Sequence, residues 1–234
     1  MTDQPDDFER ARDETVRYHE ELYASADLGD AGTWLANPHP LLTAALALLP
    51  SDRAVTAYDL GAGIGRHTMP MLERLPAGST VYAVDLLPSA LAQLETEVPA
   101  GVSTVLHTVT ADLDDFDFAA PADLVFAFSA IEHLPRPEAV RNLLQRTRIA
   151  TRPGGVVALG IIADRFEIRA DGTRRPALLE SDLSIDTARR LLDDVFVDFT
   201  VADSQLHPAE VEEERGGERY TLASTLLTWL AVSS

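Results

Sequence analysis

The chain contains no cysteine and no lysine, and all of its basic side chains are arginine or histidine. Without cysteine there can be no disulfide, no thiolate metal site and no cysteine nucleophile. Without lysine there is no Schiff-base residue for ordinary pyridoxal phosphate chemistry and no lysine for a phosphate-binding P-loop. Several large enzyme classes are therefore excluded, and the missing cysteine fits a reducing compartment.

Positive charge and long hydrophobic runs are also scarce. Nineteen basic residues face 38 acidic ones, which gives a net charge of −19. Such a surface repels phosphate backbones and anionic lipid, so we expect neither nucleic acid nor membrane as a partner. The longest apolar run, Leu41–Pro50, is too short to cross a bilayer, and the polar start Met1–Arg12 is not a signal peptide. We expect a cytoplasmic protein.

The N-terminal region has helical periodicity. Apolar and aromatic residues between Phe8 and Ala24 recur every three or four positions, and Leu41–Leu49 predicts a second short helix. We expect residues 1–50 to form a helical extension or lid, with Met1–Asp7 a disordered tail. Residues 51–234 then form the main domain, a length that suits one α/β unit.

Short apolar runs alternate with helical segments from residue 55 onward, which predicts βαβ units and a parallel sheet. The predicted strands are Val55–Leu60, Thr80–Val84, Thr104–Val109, Ala122–Ser129 and Val156–Ile162, and the helices are Met69–Leu75, Ser89–Glu97 and Glu138–Ala150.

The C-terminal part breaks this alternation. After a helix at Ile185–Leu192 come two predicted strands, Val195–Ala202 and Tyr220–Val232, with no helix between them. They should therefore pair as an antiparallel hairpin. We expect Glu210–Gly217 to be a charged loop and Arg165–Pro176 to be a turn or small hairpin.

A glycine-rich turn follows the first predicted strand. Asp59 precedes Gly61, Gly63 and Gly65, and Asp85 ends the next strand. Glycines between a strand and a helix let the backbone turn tightly and approach a ligand, and an acid after the second strand can accept both ribose hydroxyls of an adenosine group. The combination predicts a nucleoside site.

A nicotinamide dinucleotide is the alternative ligand, and with it an oxidoreductase. Its fingerprint has a third glycine where this chain has Arg66, and the missing lysine removes the usual Tyr-x-x-x-Lys acid/base pair. Asp59 would repel a pyrophosphate but suits the cationic amino-acid end of S-adenosylmethionine.

Four segments in order resemble the motifs of class I S-adenosylmethionine-dependent methyltransferases. Asp59–Thr68 resembles the first motif, Asp85-Leu86 the second, Thr110–Leu113 the third and Ala122–Leu134 the fourth. Arg152–Gly155 resembles the turn before strand five, so the likeness covers about Val55 to Ile162. The Tyr220–Trp229 ending resembles tellurite-resistance-type and related small-molecule methyltransferases.

The resemblance implies a Rossmann-like seven-stranded, mostly parallel sheet of order 3-2-1-4-5-7-6, with strand seven antiparallel and helices on both faces. It implies S-adenosylmethionine as cofactor, S-adenosylhomocysteine as product and a small-molecule acceptor methylated on O, N or C. The expected cofactor-binding residues are Asp59, Gly61, Ala62, Gly63, Gly65, His67, Asp85, Leu86, Asp112, Leu113 and Ser129.

Methyl transfer can proceed by positioning alone, because the sulfonium already makes the methyl group electrophilic. If a base is required, Glu132-His133 beyond strand four are the candidates. Trp34 and His39 are candidate substrate or lid residues. We expect no metal and a monomer or homodimer, and a non-catalytic cofactor-binding module or methyltransferase subunit remains an alternative.

Overall fold

The computed structural model describes residues 7–31, 33–215 and 217–234. The predicted disordered tail therefore lies outside the described residues, apart from Asp7, which begins the first helix. Gly216 of the predicted charged loop also lies outside them.

One mixed sheet forms the centre of the molecule, in the order β3-β2-β1-β4-β5-β8-β7, with the short β6 paired to β5. The strands are β1 Thr56–Leu60, β2 Thr80–Asp85, β3 Val105–Thr110, β4 Ala122–Phe128, β5 Thr151–Arg169, β6 Arg174–Pro176, β7 Phe199–Arg215 and β8 Glu218–Ser233. Strands β1 to β5 run parallel, and β8 runs antiparallel to both of its neighbours. The predicted strand order and the antiparallel last long strand are confirmed.

Helices cover both faces of the sheet because the buried strands are apolar on both sides. Along β4, Val125 and Ala127 face a core with two helices, α5 (Pro137–Ala150) and α6 (Ile185–Val195). Leu124 and Phe126 face a core with two others, α2 (Pro40–Leu46) and α3 (Thr68–Arg74). This alternation follows from the two-residue period of a strand. The helices are α1 Asp7–Ser25, α2 Pro40–Leu46, α3 Thr68–Arg74, α4 Pro88–Glu97, α5 Pro137–Ala150 and α6 Ile185–Val195.

The prediction of a charged loop at 210–217 is wrong for residues 210–215, which continue β7. Cross-strand bonds hold them there: the Tyr220 hydroxyl donates to Glu213 and the Thr221 hydroxyl to Glu212, both at 2.7 Å. Since β7 is an edge strand that is mostly exposed, its end at residues 210–215 lacks the apolar alternation by which a strand is recognised. The predicted small hairpin within Arg165–Pro176 is confirmed as the β5–β6 turn.

The extended hairpin is fixed by a buried carboxylate. Glu167 is 1% exposed and accepts from the guanidinium groups of Arg175 at 2.5 Å and Arg215 at 2.7 Å. The two guanidinium groups offset the cost of burying the Glu167 carboxylate, and the two ion pairs link β5, β6 and β7. Among the described residues, no helix combines the length and the apolar character that a bilayer crossing requires.

Candidate functional site

A cleft opens at the carboxyl ends of β1, β2 and β4, where the strand order reverses. It holds about 730 Å³ of empty space, including the part open to solvent. Parallel sheets commonly bind ligands at this position. The cleft is lined by Arg12, Thr15, Val16, His19, Tyr23, Gly61, Asp85, Leu86, Leu87, Ala111, Asp112, Leu113, Ser129, Ala130, His133, Leu134 and Glu180.

The glycine turn forms the floor of the cleft. The backbone N–H groups of Gly61 and Ala62 both donate to the Val84 carbonyl, at 2.8 and 3.0 Å, which ties the turn to β2. Gly61 has a φ of +77°, and a Cβ there would lie 2.5 Å from the Ala130 Cβ. Only glycine satisfies both the left-handed backbone and this close approach to the segment after β4.

Asp85 connects the glycine turn to the end of β2. One carboxylate oxygen accepts from the Gly63 N–H at 2.7 Å and the other from the Leu87 N–H at 2.9 Å. A carboxylate offers about four lone-pair sites, so each oxygen can accept a further donor from a ligand in the cleft. Leu86 beside it is 38% exposed and offers an apolar surface.

Asp112 lies at the opposite wall and is already paired. Its carboxylate forms an ion pair with Arg12 of α1 and accepts from the Asp114 N–H at 3.0 Å. Leu113 lines the cleft next to it. The N-terminal helix therefore reaches across the cleft and neutralises one of its acids.

Asp59 lies beneath the turn and outside the cleft lining. It is 1% exposed and accepts from the Thr68 hydroxyl at 2.6 Å. Burial raises the pKa of its carboxyl to about 7, against the opposing effect of the Thr68 hydrogen bond. Asp59 thus supports the start of α3 from below, and Gly65 packs nearby against the Leu94 side chain of α4.

His67 also lies behind the turn. Its Nε2 accepts from the His39 backbone N–H at 3.2 Å, and its ring centroid is 4.8 Å from that of Phe126. Burial lowers the pKa of His67 to about 3, with a contribution from the charges of Arg66 and His39. It is a neutral, packed histidine that does not line the cleft.

Trp34 and His39, the predicted lid residues, lie together at one edge of the molecule. The Arg66 guanidinium stacks 5.6 Å from the Trp34 ring and donates to the Asn37 carbonyl at 2.6 Å. The His39 ring lies 4.4 Å from that of Phe128. Neither predicted residue lines the cleft, although Trp34 contacts the rings of His19 and Tyr23, which do.

The segment after β4 places two predicted residues at the cleft. Ser129 adopts a φ of +53° and donates its N–H to the Gly160 carbonyl at 2.8 Å. His133 lines the cleft, and its Nδ1 lies 3.2 Å from a Glu180 oxygen. Glu132 differs, because its side chain is fully buried, lines no part of the cleft and finds no hydrogen-bond partner for its carboxylate in residues 7–31, 33–215 and 217–234.

The segments least constrained by the core pattern, Met1–Pro50, Asp164–Leu183 and Gln205–Arg219, are expected to build the pocket, but the sequence singles out none of the cleft residues that the first two of them supply. Thr15, His19 and Tyr23 come from α1, and Glu180 follows β6. The helical period of α1 was visible, but a period does not tell which end of the sheet the helix covers. No sequence signal marked Glu180. Among the described residues, no group of three or more His, Cys, Asp or Glu could hold a metal ion.

The doubly wound sheet with its antiparallel last strand, the glycine turn and the acid after β2 define a nucleoside-binding Rossmann-like fold of the class I methyltransferase type. Residues 57–155 match the family model described as a methyltransferase domain. Over these residues, which are less than half of the chain, it is similar to the methyltransferase domain family.

A curated relative extends the match. Trans-aconitate 2-methyltransferase from Azoarcus sp. (strain BH72) is 35% identical over 119 residues, which is 49% of this chain and 42% of the relative. The chain thus aligns with less than half of the length of that protein.

Solved structures share the fold at low identity. TehB from Haemophilus influenzae has a TM-score of 0.61 at 16% identity, covering 87% of this chain and 64% of its own. Magnesium protoporphyrin IX methyltransferase from Synechocystis PCC 6803, solved with S-adenosylmethionine, has a TM-score of 0.58 at 14% identity over both complete chains. The N-methyltransferase NodS from Bradyrhizobium japonicum, solved with S-adenosylhomocysteine, has a TM-score of 0.52 at 16% identity, covering 91% and 97%.

Proposed function

We propose that this protein transfers the methyl group of S-adenosylmethionine to a small molecule bound in the cleft. The main support for this proposal is the arrangement of Gly61 and Asp85 at the cleft floor. Gly61 lacks the Cβ that would fill the turn, and both Asp85 oxygens retain acceptor capacity. Together they form a cradle for the ribose and methionine part of the cofactor.

The residues that would hold the cofactor come from three strand ends. Gly61 would face the methionine and ribose part, Asp85 would accept from the ribose hydroxyls, and Leu86 would cover the adenine. Gly63, also predicted to bind the cofactor, lies outside the cleft lining, and a Cβ there would be 2.5 Å from the Tyr23 hydroxyl oxygen. Asp112 would accept from the adenine amino group while it is held by Arg12. The bound cofactor supplies an electrophilic methyl group, so the protein's own task is to align the acceptor and exclude water.

A small-molecule acceptor fits the charge of the protein. A net charge of −19 disfavours nucleic acid as the acceptor. Two of the similar proteins, trans-aconitate 2-methyltransferase and magnesium protoporphyrin IX methyltransferase, are named for small-molecule substrates.

Thermal unfolding with S-adenosylmethionine, S-adenosylhomocysteine and NAD, each in large excess, tests the cofactor. A ligand at about 100 times its dissociation constant adds roughly 2.7 kcal/mol to the free energy of unfolding. We expect both sulfur compounds to raise the midpoint and NAD to leave it unchanged. A shift with NAD alone would indicate an oxidoreductase, and no shift with any of the three would contradict the proposal.

Asp85→Ala tests the ribose contact, with Asp171→Ala as control. Asp171 also accepts a backbone N–H, that of Thr173 at 2.9 Å, but in the β5–β6 turn. The wild type should bind adenosine more tightly than 3′-deoxyadenosine in calorimetry, and Asp171→Ala should keep this preference. Asp85→Ala should lose the preference for adenosine. If the substitution only loosened the glycine turn, both ligands would bind more weakly to the same extent and the preference would remain.

A further inference from the structure

The mouth of the cleft contains a histidine–carboxylate pair that joins two distant parts of the chain. His133 Nδ1 lies 3.2 Å from the Glu180 carboxylate, whose side chain is 2% exposed. Burial alone would raise the pKa of Glu180, but the hydrogen bond and charge of His133, with a hydrogen bond from Thr15, outweigh it and lower the pKa. Glu180 is therefore an anion that accepts the Nδ1–H of His133.

This pairing fixes the state of the imidazole. A neutral ring that donates through Nδ1 keeps its lone pair on Nε2. In the part of the chain that the structure describes, no group hydrogen-bonds to that nitrogen, and His133 lines the cleft. Its basic nitrogen is thus available to a molecule bound there.

A second histidine faces the pair from α1. The His19 ring lies 6.2 Å from the His133 ring at an interplanar angle of 87°. His19 Nδ1 is 2.8 Å from the Thr15 carbonyl, and burial, followed by the charge of His133, lowers the pKa of His19. The partner of His19 is a neutral backbone carbonyl, whereas the partner of His133 is a buried carboxylate, so of the two rings only that of His133 is oriented by an anion.

The charges around the cleft restrict the acceptor. Three carboxylates, Asp85, Asp112 and Glu180, line it against the single guanidinium of Arg12, which Asp112 already neutralises. A polycarboxylate such as trans-aconitate would meet net negative charge and, among the described residues that line the cleft, would find no guanidinium that is not already paired. Its nucleophile is also already ionised and would need no base.

We propose that Glu180 positions His133 as the base for an acceptor that is neutral or cationic and carries a hydroxyl or amine proton at the methylated atom. The inference rests on the proposed methyl transfer and specifies the substrate class of that site. The acceptor's oxygen or nitrogen forms the new bond to the methyl carbon, the carbon–sulfur electron pair stays on sulfur, and the acceptor proton passes to His133 Nε2. Glu180 stabilises the imidazolium that results.

Nitrogen NMR of the histidine side chains tests the positioning without any acceptor. His133 of the wild type, with S-adenosylhomocysteine bound, should be in the Nδ1–H tautomer. Glu180→Met, which removes the acceptor, should shift it toward Nε2–H, whereas Glu180→Gln, which keeps an acceptor oxygen, should not. Glu95→Met is the control, because it removes a surface carboxylate that accepts a hydrogen bond from the Thr108 hydroxyl. An unchanged tautomer in Glu180→Met would overturn the proposal.

Transfer of a radiolabelled methyl group to catechol, benzylamine and trans-aconitate tests the acceptor class. We expect labelling of a hydroxyl or amine probe, and a roughly 100- to 10,000-fold lower kcat in His133→Gln. Glu180→Gln should also lower kcat although the tautomer is kept. The exposed His207→Gln is the control, and the Kd of S-adenosylhomocysteine should change by less than about twofold in all variants.

Methylation of trans-aconitate at a rate that His133→Gln leaves unchanged would overturn the inference but support methyl transfer itself. If the wild type does not bind S-adenosylhomocysteine, the proposed function itself is refuted. The two failures are therefore distinguishable.

Discussion

Replacing Gly61 by alanine should destabilise the protein for two separable reasons. The residue has a φ of +77°, and an L-residue in the left-handed region costs about 1–2 kcal/mol. The new Cβ would also lie 2.5 Å from the Ala130 Cβ, and such overpacking costs about 1–3 kcal/mol. Gly61→Ala should therefore lower the free energy of unfolding by roughly 2–5 kcal/mol.

Gly78→Ala is a matched control within the same chain. Gly78 has a φ of +78°, but the nearest atom to a Cβ there, that of Ala54, is 3.9 Å away. Gly78→Ala should therefore show only the cost of the left-handed backbone, about 1–2 kcal/mol. The entropy that alanine removes from the unfolded chain is the same in both Gly→Ala variants, so it cancels in the comparison. Urea unfolding with unchanged m-values measures the difference.

The double variant Gly61→Ala/Ala130→Gly isolates the steric part. In the Gly61→Ala background, Ala130→Gly removes the clashing methyl group and should raise the free energy of unfolding by roughly 1–3 kcal/mol more than the same substitution does in the wild type. Equal losses in Gly61→Ala and Gly78→Ala, or no coupling in the cycle, would refute the claim that the turn and the segment after β4 approach too closely for a side chain.

Two further substitutions test the support of the site. The raised pKa of Asp59, about 7 when folded against 3.8 as the reference value, means that its contribution to stability is fully present below about pH 4 and is lost as the pH rises toward 7. The free energy of unfolding of the wild type relative to Asp59→Asn should fall by up to roughly 4 kcal/mol over that interval; a constant difference in urea titrations would contradict the assignment. Ser184 caps α6 by accepting from the Thr187 N–H at 3.2 Å, so Ser184→Ala should cost about 1 kcal/mol. Ser25→Ala, at the exposed C-terminal end of α1, should stay within about 0.5 kcal/mol, and equal effects in chemical unfolding would contradict the capping role.

The C-terminal strands show where local pattern stops being informative. The pairing of β7 with β8 was predictable because two strands without a helix between them must run antiparallel. The extension of β7 to Arg215 was not predictable, because its charged residues 210–215 are strand only through cross-strand bonds to β8 and the ion pairs of Glu167. The β8 partners are close in sequence, but Glu167 is 48 residues from Arg215, and residues 210–215 lack the apolar alternation by which a strand is recognised.

The sequence by itself determined the class of the protein. Glycines between a strand and a helix, an acid at the next strand end and the βαβ alternation are local features whose chemistry depends on few neighbours, so they predicted the parallel sheet and singled out Gly61 and Asp85. The strand order followed from the resemblance to a known family. Tertiary structure decided which candidates share one cleft. His67 and His39 pack against Phe126 and Phe128, whereas His19 and Glu180 join His133. Histidine and carboxylate side chains serve equally well in a core, on a surface or in a site, and only long-range packing fixes which environment each one occupies.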